Sequence, residues 1–266
     1  MTHSNHLRET SRMARRISIA TLSLASLLAA ACGTKDAADP LSPSGAQGRI
    51  RFVNLITDTT RGRVNAILEQ VPFGVNLTYT QSTPATLPSP ATALYSPILT
   101  GARTLVLKRT IDTNTVVSTI PVTIAEGQDR TVYAIGGTGG SAVTSYITTD
   151  DNALPTSATQ AKVRVVHLSP TAGAVDIFVT AAGADLATAT PTLSNVAYQS
   201  ASAYLSVAAG TYSVRVVPAG TAPANRAGAV AITASVTLTG NTVRTIVAAD
   251  NNVGGAPLRA FVLSDR

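Results

Sequence analysis

Thirteen consecutive residues at 122–134 (VTIAEGQDRTVYA) line up without a gap on residues 236–248 (VTLTGNTVRTIVA), and further blocks of the chain repeat in the same order. Residues 49–55 (RIRFVNL) parallel 162–168 (KVRVVHL), 64–67 parallel 175–178, 101–107 parallel 210–216, and 146–150 parallel 261–265. The offset stays at roughly 109–115 residues throughout, and self-similarity at a fixed period marks a duplicated structural unit. The chain is therefore expected to carry two copies of one module, residues 49–150 and 161–266, joined by a polar linker at 151–160 (DNALPTSATQ).

Within each copy the apolar residues recur at the period of a strand. Ile232, Ala234, Val236 and Leu238 alternate with Thr233, Ser235, Thr237 and Thr239, and Tyr212, Val214 and Val216 alternate with Ser213 and Arg215. Such alternation suits a strand with one buried and one wet face. The corresponding run of the first copy is Val116, Ser118, Ile120, Val122 and Ile124; Pro121 among its outward positions removes a ladder donor and points to an edge strand. Gly101, Gly127, Gly210 and Gly240-Asn241 punctuate the runs as turns. About seven short strands per copy, without an amphipathic helix, predict two tandem Ig-like antiparallel β-sandwiches, an all-β fold. Each copy is long enough to bury its own core.

These blocks carry a specific resemblance. VRVVHLSP at 163–170, AVDIFV at 174–179 and AGTYSVRV at 209–216 resemble the opening, second strand and later strand start of the bacterial domain of unknown function 4397. The first copy departs from that pattern: Asn54 stands where the family has His, Thr57-Asp58 where it has Ser-Pro, and Ala102-Arg103 follow Gly101 in place of Thr-Tyr. The resemblance implies a β-sandwich of Ig type, often in tandem on exported proteins, and implies no activity.

The N-terminus reads as an export signal, residues 1–31: a basic stretch (Arg8, Arg12, Arg15, Arg16), then an apolar run at 17–31 (ISIATLSLASLLAAA). Fifteen residues fall short of the about 20 that a permanent spanning helix needs. Met13 opens a tidier signal than Met1 and is the expected start of translation. Cys32, the single cysteine, follows Leu28-Ala29-Ala30-Ala31 in a pattern that resembles the bacterial lipobox, with Ala29 where that motif prefers Leu. The resemblance implies lipidation at Cys32, a lipid anchor in the membrane and, because Gly33 replaces the retention Asp, passage to the outer membrane. Residues 33–48, rich in small residues, Pro and Gly, form with Cys32 an expected flexible tether (32–48).

Chemistry is scarce in what remains. The formal charge of +6 falls to +3 once residues 1–31 are removed, and the surplus is scattered, unlike the clustered basic face that nucleic acid requires. His167 is the one histidine beyond the signal, so there is neither a Cys/His zinc set nor an HExxH motif. Ser169 and Asp176 lie near it without a nucleophile-elbow pattern; His167 is expected to bond the following turn, and Asp176 to face solvent or cap backbone. Gly136-Gly-Thr-Gly-Gly140 lacks the Lys-Ser/Thr and helix of a phosphate loop and reads as a hairpin loop. Asp150-Asp151-Asn152 and Asp250-Asn251-Asn252 lack EF-hand spacing and read as turn formers, with a weak calcium site as the alternative. The expectation is a non-enzymatic envelope module without cofactor, binding an envelope polymer or protein. The alternative is a carbohydrate-binding module using Tyr79, Tyr95, Tyr198 and Tyr204, since the chain has no Trp; a hydrolase is the third reading, disfavoured by the single remaining histidine.

Overall fold

A computed structural model describes residues 45–85 and 94–266; the expected signal, Cys32, Gly33 and most of the tether lie outside the described residues. The first copy contributes β1 (Gln47–Ile56), β2 (Val64–Leu68), β3 (Val71–Leu77), β4 (Ser82–Thr83), β5 (Ser96–Leu99), β6 (Gly101–Arg109), β7 (Val116–Ile124), β8 (Asp129–Gly136) and β9 (Val143–Asp150). The second contributes β10 (Gln160–Leu168), β11 (Val175–Thr180), β12 (Leu193–Val196), β13 (Ser200–Ala201), β14 (Leu205–Ala208), β15 (Gly210–Pro218), β16 (Ile232–Leu238), β17 (Thr242–Ala249) and β18 (Arg259–Ser264). The copies correspond strand for strand. Nine strands replace the expected seven because β4, β5 and their counterparts are short pieces paired to one edge of a long strand.

Each copy is a two-sheet sandwich. Its outer sheet runs β3-β2-β6-β7 in the first copy and β12-β11-β15-β16 in the second. Its inner sheet runs β4-β1-β8-β9, with β5 also on β1, and β13-β10-β17-β18, with β14 also on β10. The ladders are antiparallel except at the centre of each inner sheet, where β1 runs parallel to β8 (Arg49 opposite Asp129 through Ile56 opposite Gly136) and β10 parallel to β17. Strands paired in parallel need cover on both faces, and here they have it. β7 is an edge strand, as Pro121 requires, with its outward residues Thr119, Pro121 and Thr123 exposed.

The β6–β7 ladder slips by one residue between Leu107 and Lys108. That bulge reverses the facing of the strand beyond it, so Val117 packs on the core while Val116 lies exposed, opposite to the simple alternation. Where the chain crosses from outer to inner sheet the backbone must turn left-handed, and Gly127 (φ 68) and Asn241 (φ 59) supply it at matching places.

Three apolar clusters show how the layers stack. Ile50, Phe52, Leu68, Leu105, Ile120 and Val132 fill the first sandwich. Val163, Val165, Ile177, Val214, Val236 and Ile246 fill the second. A third cluster, Val53, Leu55, Tyr133, Ile135 with Val166, Leu168, Val247, Ala249 and Leu263, joins the inner sheets of the two copies. The order is therefore outer, inner, inner, outer: a four-layer block. At about 1.5–3 kcal/mol per fully buried aliphatic side chain, this third cluster holds the copies together as firmly as a modest core. The outer face of the second copy carries one elaboration, in which Leu186 and the 3-10 turn Pro223–Ala229 cover Phe178 and Val217. Arg226 lies over the Phe178 ring at 5.1 Å and donates to the Leu186 and Ala189 carbonyls.

Candidate functional site

Along β1 the even residues Ile50, Phe52 and Ile56 enter the first core, which sends Arg51, Val53 and Leu55 to the seam between copies. The same parity places Arg164, Val166 and Leu168 of β10 there. Two arginines are thus driven into a nearly dry interface, with Arg51 1% and Arg164 2% exposed. Burial on that scale demands a charged partner, and each arginine finds it on the other copy. Arg51 Nη2 lies 2.7 Å from Asp265 Oδ1, while Arg164 pairs with Asp150.

The two pairs are related as counterparts. Arg51 donates to the Thr131 hydroxyl (3.0 Å) and to the Ser264 carbonyl (3.2 Å). Arg164 donates to the Thr245 hydroxyl (3.0 Å) and to the Thr149 carbonyl (3.3 Å). Thr131 donates to Asp150, and Thr245 to Asp265 at 2.6 Å. The Tyr95 ring faces Arg51 at 4.5 Å, and the Tyr204 ring faces Arg164 at 4.9 Å. Burial disfavours the charged forms, yet the surrounding carboxylates hold both arginines above their ordinary value. Burial pushes the Asp265 carboxyl up, against the pull of Arg51 and the Thr245 hydroxyl.

Several expected roles change in this setting. Asp150 is no turn former: it ends β9 and accepts from Arg164, Thr131, Thr148 (2.6 Å) and Tyr95 (2.7 Å). Tyr95 is 1% exposed and cannot serve as a sugar platform. Tyr204 is turned toward Lys162 and Arg164, and Tyr198 stands edge-on to His167 at 6.4 Å. Tyr79, Tyr198 and Tyr204 are each half-buried, and of the three Tyr79 lines the cleft at the end of the seam. Asp151 pairs with Lys162 at 2.6 Å, and Asn152 is buried on Asp129 at 2.5 Å. The signal for the seam was present in the sequence as VRVVHL and RTIVAA, runs too continuously apolar for strands with one wet face.

His167 is fully buried, its Nε2 2.6 Å from the Gly173 carbonyl, and the counterpart Asn54 donates to the Gly62 carbonyl at 2.6 Å. Both side chains tie a strand end to the turn that follows. That bond makes Nε2 the protonated nitrogen of a neutral ring. Burial lowers the His167 pKa below 6.5, against the Gly173 bond and the Asp250 charge. A histidine whose folded value is depressed contributes stability that is complete above about 6.5 and lost as pH falls through the folded value. His167→Asn is expected to keep the tie and flatten this acid limb, measured as urea stability at successive pH values. An unchanged acid limb would contradict the assignment.

Ser169 donates to Asp250, which also accepts from Thr171 (2.6 Å) and the Gly255 amide (2.7 Å). The Ser169 hydroxyl therefore serves Asp250, while the His167 ring serves Gly173. Asp176 accepts the Asn195 amide at 2.8 Å, a backbone cap. The glycine run forms the β8–β9 connection, with a 3-10 turn at Thr138–Gly140. Among the described residues no group of three His, Cys, Asp or Glu could hold a metal ion.

At one end of the seam the two copies leave an open cleft of about 430 Å³. Asp58, Thr59, Arg63, Thr78 and Tyr79 of the first copy line it, with Asn252 and Arg259 of the second. Tyr79 donates its hydroxyl to the Asp250 carbonyl at 2.5 Å, and burial pushes its pKa up.

Fold and seam together define the class: a duplicated all-β sandwich whose copies are fused face to face through exchanged ion pairs. The chain belongs to the family described as Domain of unknown function (DUF4397), which matches residues 48–178 and 180–266. No curated protein matches the chain. Among solved structures it is similar to CBMbc, a family CBM26 protein from Eubacterium rectale Amy13K, in complex with maltoheptaose. That likeness has 9% identity and TM-score 0.23, over 83% of this chain and 97% of that one. It is also similar to a leucine-rich repeat protein from Bacteroides thetaiotaomicron at 14% identity and TM-score 0.19, over 76% of this chain and 26% of that one. Likeness at that level carries no argument about this chain.

Proposed function

We propose that the protein is a lipid-anchored, non-catalytic binding module of the cell envelope, tethered through Cys32 and delivered to the outer membrane. The observation that carries the non-catalytic part is the fate of the titratable groups. Asp150, Asp265, Arg51 and Arg164 neutralise one another inside the seam, and His167 is buried on a carbonyl. The Ser169 hydroxyl donates to Asp250 and the His167 ring bonds the Gly173 carbonyl, so the two are not paired as nucleophile and base. What the block presents to a partner is loops, sheet edges and the seam-end cleft, on a scaffold rigid enough to hold them in place.

The anchor is supported by the thiol directly after a fifteen-residue apolar run that ends in small residues. Among the described residues no helix is long and apolar enough to cross a membrane. A diacylated cysteine gives durable attachment where a single chain does not. Cys32→Ser is expected to move the full chain from the membrane to the soluble fraction and to leave the precursor uncleaved, read by fractionation and intact mass. Unchanged attachment and processing would remove the anchor. Retention of the purified full chain on isolated envelope material tests the binding part. Ester turnover that vanishes in His167→Ala would overturn the non-catalytic part.

A further inference from the structure

The residues that build the seam occur twice: Arg51 and Arg164, Thr131 and Thr245, Tyr95 and Tyr204, Asp150 and Asp265. The cleft at its end does not follow that rule. Arg63 precedes β2 where Ala174 precedes β11, and Arg259 begins β18 where Thr144 stands in β9. Tyr79 and Tyr198 do correspond, each three residues before a residue paired with Val53 or Val166. The same fold is thus built at the corresponding place of the other copy without either arginine, so folding does not require them.

Both arginines are exposed and make no ion pair or side-chain hydrogen bond among the described residues. Arg259 does lie over the Tyr79 ring, at 6.0 Å. The one carboxylate in the cleft, Asp58, is already held by Arg61 at 2.5 Å and by the Thr60 hydroxyl at 2.7 Å. Arg61 is spent on Asp58 and on the Gly137 and Ser141 carbonyls. The cleft therefore carries two uncommitted guanidinium groups, one from each copy, and its volume falls in the range of small-molecule sites.

We infer that this cleft binds an acidic saccharide, a sugar ring bearing a carboxylate. A guanidinium fork matches a carboxylate with two parallel hydrogen bonds. Thr59, Thr78 and Asn252 offer neutral donors and acceptors for ring hydroxyls, and Tyr79, fixed by its bond to Asp250, offers an aromatic wall for the sugar's C–H face. A bare oxyanion would have no use for that wall. The inference rests on the reading of the protein as a binding module and adds the ligand class and the residues.

The test is calorimetric titration of the purified full chain with trigalacturonate, against maltotriose, inorganic phosphate and a short polyglutamate. Trigalacturonate is expected to bind saturably and to weaken with added salt, while uncharged maltotriose does not bind. Arg63→Ala and Arg259→Ala are each expected to weaken it about tenfold, with the melting temperature unchanged, and Lys108→Ala, on the first outer sheet, to leave it unaltered. The inference is overturned by absent trigalacturonate binding, by binding indifferent to both arginines, or by phosphate or polyglutamate binding as tightly as the sugar. Any of those results alongside intact retention on envelope material would remove the ligand class and leave the binding module standing.

Discussion

Arg164→Met is expected to cost about 3–5 kcal/mol, because it leaves Asp150 charged, buried and without its cation. Methionine keeps most of the arginine stem, so the loss measures the charge more than the packing. For a fold whose whole stability is about 5–15 kcal/mol, that is a large fraction, and the urea midpoint should fall sharply. The double variant Arg164→Met, Asp150→Leu should recover most of it, since replacing both halves of a buried pair with apolar groups is often neutral or better. The pair of substitutions forms a double-mutant cycle whose coupling reports the ion pair alone. Arg51→Met with Asp265→Leu should behave the same way, as the counterpart pair demands. A single variant as stable as the parent would mean that water reaches the seam and that the copies are not pressed together.

The second large effect concerns the other half of the seam. Val53 is fully buried although it lies on the face of β1 that points away from its own core. Val53→Asp is expected to cost about 3–5 kcal/mol, by burying a carboxylate with no partner provided for it. Thr119→Asp on the exposed face of β7 should change stability by less than about 0.5 kcal/mol. Both variants place an aspartate on a face directed away from its own sandwich core, and only the second copy distinguishes them. Equal tolerance of the two, measured by denaturant unfolding, would return the molecule to two independent sandwiches.

Much of the fold was legible because strand burial writes itself at period two. The alternation at Ile232–Leu238 is reproduced residue by residue in the burial of β16, and Pro121 marked the edge to which β7 belongs. The duplication was legible because both copies kept their blocks in order. The candidate site was less so. Tyr95, read as surface, lies inside, because a tyrosine looks the same in sequence whether its ring meets a sugar or an arginine. Asp150 has the local look of a turn residue, and only a partner fourteen positions away on the other copy, Arg164, makes it a buried acceptor.

From its sequence alone this chain determined that it is built of strands, that it is built twice, and where each copy starts its first strand. Those properties come from local pattern, which neighbouring residues can satisfy by themselves. Tertiary structure decided that the inner sheets face each other, that the arginines exchange carboxylates across the seam, and that Arg63 and Arg259 meet at one cleft. These depend on which surfaces come together when the parallel-paired inner sheets seek cover for their second face. The continuously apolar runs record that the second face is covered, but not by what, because the covering residues come from the other copy, as Asp265 does for Arg51 and Asp150 for Arg164.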